Sequence, residues 1–198
     1  MNNKIIIPPP PEELAPFELH MAAYRQVGHK VMYARYGGDG NVVVWKNTSC
    51  EPIESDWRGL FRPRTCPKAM DEFAKRSGFQ PADLPKNWRM LCGMAGLVAE
   101  EILLDHTTDV KLIYQNIDAR IFFGEASDFE LSLMNISSVD AFELHYEEIV
   151  EAWHYLVDNW SAVEFEAACV IDDAWSWATV NGSVNLERAV RAAGIQLH

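Results

Sequence analysis

Arg25 and His29 lie four residues apart, so on a helix they share one face a single turn apart, with Gln26 beside them. An imidazole can ligate a metal or carry a proton, whereas a guanidinium stays charged and clasps carboxylates through its planar fork. The other titratable groups are less organised. His20 and His29 are nine residues apart, as are His145 and His154, which turns each pair about 180° away from a shared helical face. Glu100 and Glu101 are adjacent and point about 100° apart, so only one of them faces any given site, where it adds a ligand or holds Arg25. Tyr146-Glu147-Glu148 and Asp172-Asp173 read as solvated helical faces. Cys50, Cys66, Cys92 and Cys169 are scattered with no Cys-x-x-Cys pair, which excludes zinc knuckles and thioredoxin-type redox sites. They are expected to be reduced cytoplasmic thiols, with Cys92 and Cys169 in the core.

The elements that must position these groups are mostly helices. After four prolines, Pro8 to Pro11, Phe17, Met21, Tyr24, Gly28 and Val31 recur at helical spacing, predicting a helix to about Tyr36 that Gly37-Gly38-Asp39-Gly40 stops. Asn41 to Lys46 reads as a strand, and Trp57 to Phe61 as a second strand pairing with it. A short helix is expected over Pro67 to Ser77, then a long one over Asn87 to Leu104, apolar around most of its circumference and therefore central. His106 to Phe123 shows a mixed pattern. Gly124 to Asp128 reads as a turn into a short helix ending at Met134, capped by Ser127 or Asp128. Further helices are predicted from Ser137-Ser138-x-Asp140 to about Asn159, over Ala162 to Trp177, and over Asn185 to Ala193, ended by Gly194. The fold class is thus mainly α with a small β-sheet: a Pro-rich tail over 1–15 and a single domain over 16–198.

Composition narrows the function. The chain has 198 residues, 48% hydrophobic and 23% charged, the profile of one folded domain. Its 17 Lys and Arg against 29 Asp and Glu give a net charge of -12, which would repel a phosphate backbone, so no nucleic-acid partner is expected. The most apolar run, Met90 to Ala99, is cut short by Glu100, well below the roughly 20 residues that span a bilayer, and no membrane association is expected. Trp153, Trp160, Trp175 and Trp177 cluster late in the chain, as core or as a partner-binding face.

Three segments together resemble a known family. Ala23-Tyr24-Arg25-Gln26-Val27-Gly28-His29 is similar to the zinc helix of FtsH-type, AAA-linked zinc metalloproteases, which carries Ala-Tyr-His-Glu-Ala-Gly-His. Gly93-Met94-Ala95-Gly96-Leu97-Val98-Ala99-Glu100-Glu101 resembles the family's helix behind the zinc site, and Gly124-Glu125-Ala126-Ser127-Asp128-Phe129 its loop bearing a third, aspartate ligand at Asp128. Asn159-Trp160-Ser161-Ala162-Val163-Glu164 is similar to its closing helices. The resemblance implies a zincin-like peptidase domain standing alone, since no Gly-x-x-x-x-Gly-Lys-Ser/Thr phosphate loop and no membrane anchor accompany it.

It also implies a degenerate site. Arg25 stands where the first zinc ligand belongs, Gln26 at the general-base position, and only His29 and Asp128 match the ligands. Guanidinium repels a divalent cation, and an amide cannot exchange a proton near neutral pH. The resemblance therefore implies a pseudopeptidase that binds a peptide or protein, without cofactor, with Arg25 replacing the metal opposite Asp128. A zinc metallopeptidase or other hydrolase with a rearranged site of His29, Asp128 and Glu100 or Glu101 is the alternative. A structural module forming homo-oligomers is a third.

Overall fold

The computed structural model describes residues 11–46, 57–79, 84–104, 109–134, 136 and 146–181. Its elements run α1 (Pro11–Arg35), β1 (Asp39–Lys46), β2 (Trp57–Thr65), α2 (Pro67–Arg76), α3 (Trp88–Leu103), α4 (Val110–Phe122), α5 (Asp128–Met134), α6 (Tyr146–Asp158) and α7 (Trp160–Asn181). The chain is mainly helical with one two-stranded antiparallel sheet. Gly37, at φ 78°, reverses the chain after α1, a conformation that side chains with a Cβ seldom adopt. β1 and β2 then pair with Val42 opposite Phe61 and Val44 opposite Gly59.

α3 lies at the centre, buried continuously from Leu91 to Ile102, with α1, α4, α5 and α6 packed around it. Its crossing with α1 is a close backbone approach. A Cβ on Gly28 would sit 2.6 Å from the Ala95 carbonyl oxygen and 2.7 Å from Ala99 Cβ, and one on Gly96 would sit 2.2 Å from His29 Nε2. The sheet and α7 pack on the remaining faces of α1. Among the described residues, no helix is long and apolar enough to cross a membrane.

The segment with a mixed pattern forms a regular helix, α4, because Asp109 caps it by accepting from the Lys111 and Leu112 N–H groups while Ile113, Ile117 and Ile121 are buried at four-residue spacing. Cys92 is buried, but Cys169 is exposed on α7 rather than in the core, because the buried stripe of that helix runs through Val163, Ala167, Ile171 and Ala174. Trp153 and Trp160 are half-buried against the core, Trp160 against the Tyr24 ring. The first part of the Pro-rich tail, the helix start at Ser137, the helix over 185–193, and the Trp175 and Trp177 side chains lie outside the described residues.

Candidate functional site

The α1 face bearing Arg25 and His29 turns toward α3 and α5, and there it meets the Glu130 carboxylate, which is fully buried. Arg25 Nε donates to Glu130 Oε1 at 2.9 Å and Arg25 Nη2 to Oε2 at 2.6 Å, a two-point clasp of the kind a guanidinium fork favours. His29 Nε2 lies 2.9 Å from the same Oε1, and its Nδ1 lies 2.8 Å from the Cys92 carbonyl oxygen. Each ring nitrogen thus meets a protein oxygen, which fixes the ring from both sides. Phe129 packs edge-on to the His29 ring, and Phe61 stacks 6.4 Å from it, so this end of the cluster is shielded from solvent.

Glu130 is itself fixed by local chain geometry. Ser127 precedes α5 and forms a reciprocal cap: its N–H and Oγ donate to Glu130 Oε2, at 2.6 and 2.8 Å, while its Oγ accepts from the Glu130 N–H. Ser-x-x-Glu is a sequence-level signature of this motif. It could have singled out Glu130, which the resemblance passes over in favour of Asp128 two residues earlier. Asp128 opens α5, but its side chain lies outside the described set.

A second layer extends from α3 to α4. Glu100 accepts from Arg25 Nη1 at 3.4 Å and from Arg120 Nη2, so it is the glutamate of the adjacent pair that reaches Arg25. Glu101 instead accepts from Arg120 Nη1 and Asn116 Nδ2. Arg120 also donates through Nε to the exposed Glu125, whose backbone carbonyl accepts from Arg25 Nη2 at 2.8 Å. Two arginines therefore knit together α1, α3, α4 and the turn before α5. Arg120 belongs to the α4 region that hydrophobic pattern alone left unassigned.

The electrostatics follow the geometry. Burial alone would push the Glu130 carboxyl up, but hydrogen bonds from His29 and Arg25 hold it well below the usual carboxylate range. Burial likewise opposes the charge on Arg25, yet Glu100 and Glu130 raise its pKa above the ordinary arginine value. Glu100 is different: burial pushes its carboxyl up, against the pull of Arg25 and Arg120.

Gln26 has a separate task. Its Oε1 accepts from the Phe61 N–H of β2 at 2.8 Å, so this side chain is tied to the sheet rather than facing the cluster. A Cβ on Gly59 would lie 2.6 Å from Gln26 Cγ, so the glycine lets the strand approach the amide.

These groups do not suit a hydrolytic zinc. His29 Nε2 and both Glu130 oxygens already serve protein partners, and Arg25 places a fixed positive charge among them. Among the described residues, no group of three or more His, Cys, Asp or Glu has metal-holding geometry. No family model and no curated protein matches the chain.

Proposed function

We propose that this chain is a peptidase-like domain that does not hydrolyse peptides and serves as a protein-binding module, related in architecture to the FtsH-type peptidase domain. The observation that carries the reading is the Arg25 fork on Glu130, which puts a covalently attached cation on the buried carboxylate beside His29. Gln26 supports the same reading, because its amide is spent on Phe61 and has no carboxylate with which to take a proton from water.

Binding through an added strand is poorly provided for. Phe61 spends its outward N–H on Gln26, Pro63 on the same strand has no N–H, and α7 packs against β1. A partner is met more readily by exposed side-chain surfaces.

Zinc analysis of the purified protein, combined with casein digestion with and without added zinc, tests the proposal. The expected result is substoichiometric zinc and no turnover. Stoichiometric zinc lost on His29→Ala, or zinc-dependent digestion lost on Asp128→Ala, would overturn it in favour of a rearranged metal site.

A further inference from the structure

α2 is amphipathic, but much of its apolar side faces solvent. Met70 is 41% exposed, Phe73 63% and Phe79, just past the helix, 69%. Exposed cations border them: Arg64 at the end of β2, then Lys68 and Arg76 on α2. From Arg58 to Phe79 the chain holds six Lys or Arg against only Asp71 and Glu72, in a protein whose net charge is -12. The segment thus carries a net positive charge, with Lys75 paired to Asp71.

The converse surface lies on α7. Phe165 is 71% exposed at the middle of the helix's solvated side, with Ala162 and Ala168 one turn to either side and both exposed. Glu164, Asp172 and Asp173 are exposed around it, and neither α6 nor α7 contains a Lys or Arg. One patch is an aromatic surface rimmed by cations and the other an aromatic surface rimmed by carboxylates, both on the same molecule and both open.

We propose that the α2 surface of one copy docks on the α7 surface of another, with Phe73 and Phe165 as apolar anchors and Arg76 and Lys68 facing the Asp172-Asp173 end. Charge complementarity selects this occupant. Burying aromatic anchors inside a ring of opposite charges supplies both contact energy and register. The exchange closes as a two-fold dimer when reciprocal and propagates head to tail when it is not. Neither surface includes a residue of the Arg25 cluster, so the outcome is independent of whether the chain hydrolyses anything.

The whole-molecule charge gives the interaction an unusual salt signature. Two copies at -12 repel at long range, while the facing patches attract at contact. At about 0.15 M salt the screening length is about 8 Å, which damps the long-range repulsion more than the contact pairs, and at about 1 M it is about 3 Å and weakens both. Light scattering coupled to size exclusion across a salt series is expected to show association strongest at intermediate salt. The K68E/R76E variant and the D172R/D173R variant should each self-associate at least about tenfold more weakly, while an equimolar mixture of the two recovers assembly, because reversed charges then face each other. Phe73→Asp and Phe165→Asp should each give monomers with unchanged circular dichroism. A monomer at every salt concentration overturns the proposal, as does association that ignores both charge reversals. Binding of a monomer to phosphatidylserine vesicles, lost on Phe73→Asp, would assign the α2 surface to an anionic membrane instead and equally refute self-docking.

Discussion

Replacing Glu130 by Gln keeps the side chain's size, removes its charge and turns one of its two acceptor oxygens into a donor. Oε1 receives Arg25 Nε and lies 2.9 Å from His29 Nε2, while Oε2 receives Arg25 Nη2 and the Ser127 N–H and hydroxyl. Whichever way the amide is turned, its NH2 meets an Arg25 donor, and Arg25 keeps only Glu100, at 3.4 Å, as a carboxylate partner in a site that is fully buried on the Glu130 side. Breaking a buried pair by removing one partner costs about 3–5 kcal/mol. Against a typical domain stability of about 5–15 kcal/mol this is a large fraction, and at about 2–4 °C per kcal/mol it lowers the melting temperature by about 6–20 °C. The pH dependence fixes the cause. Because the folded-state pKa of Glu130 is depressed, its contribution is complete above the unfolded-chain value of about 4.3 and is lost as pH falls below that toward the folded value. Urea unfolding of wild type and Glu130→Gln at neutral pH and at successive values below pH 4.3 should show the full gap when neutral and a narrowing one in acid. Glu125→Gln, which removes an exposed carboxylate from the same network, is the control and should cost at most about 1 kcal/mol. A loss under about 1 kcal/mol at neutral pH, or a gap that widens in acid, would refute the assignment of Glu130 as the ionised centre of the cluster.

Three further outcomes follow from the same geometry. Gln26→Ala should cost about 0.5–1.5 kcal/mol and speed amide exchange at Phe61, whereas Gln26→Glu, which keeps an acceptor oxygen, should protect that amide; equal exchange in both would detach Gln26 from β2. Gly96→Ala should destabilise by at least about 1–3 kcal/mol in thermal unfolding, because the new methyl would fall 2.2 Å from His29 Nε2 and 2.8 Å from the Arg25 carbonyl; a neutral effect would mean that α1 and α3 separate easily. Burial pushes the Cys92 thiol far up, so it should react with a thiol reagent only as fast as the protein opens, while the exposed Cys66 and Cys169 react first; prompt labelling of Cys92 would contradict its burial.

Much of the frame is readable from spacing alone. Phe17 to Val31 marks α1, the unbroken apolar run behind Glu100 marks the central α3, and the Val-rich stretch marks β1, because in each a single period dominates. α4 escapes that reading: its buried stripe is only Ile113, Ile117 and Ile121, interleaved with Lys111, Asp118 and Arg120. The cluster was legible where it depends on one helix, since four-residue spacing alone puts Arg25 and His29 together. Its other half depends on a carboxylate delivered by the turn after Gly124, and the Ser127 cap is what holds Glu130 there. Gln26 illustrates a further limit. Its partner is a backbone N–H on a strand 35 residues away, and no side-chain pattern encodes that.

The crossing of α1 and α3 separates backbone spacing from side-chain chemistry. Gly28 against Ala95 and Ala99, and Gly96 against His29, set the separation of the two helices by main-chain contact, with less than a methyl group to spare. The spacing of the two helices is therefore set at these glycine and alanine positions, while positions 25, 26 and 130 add stability through their hydrogen bonds. Substitutions at those three positions are expected to lower stability without changing how closely α1 and α3 approach, whereas any larger residue at Gly28 or Gly96 would force the helices apart.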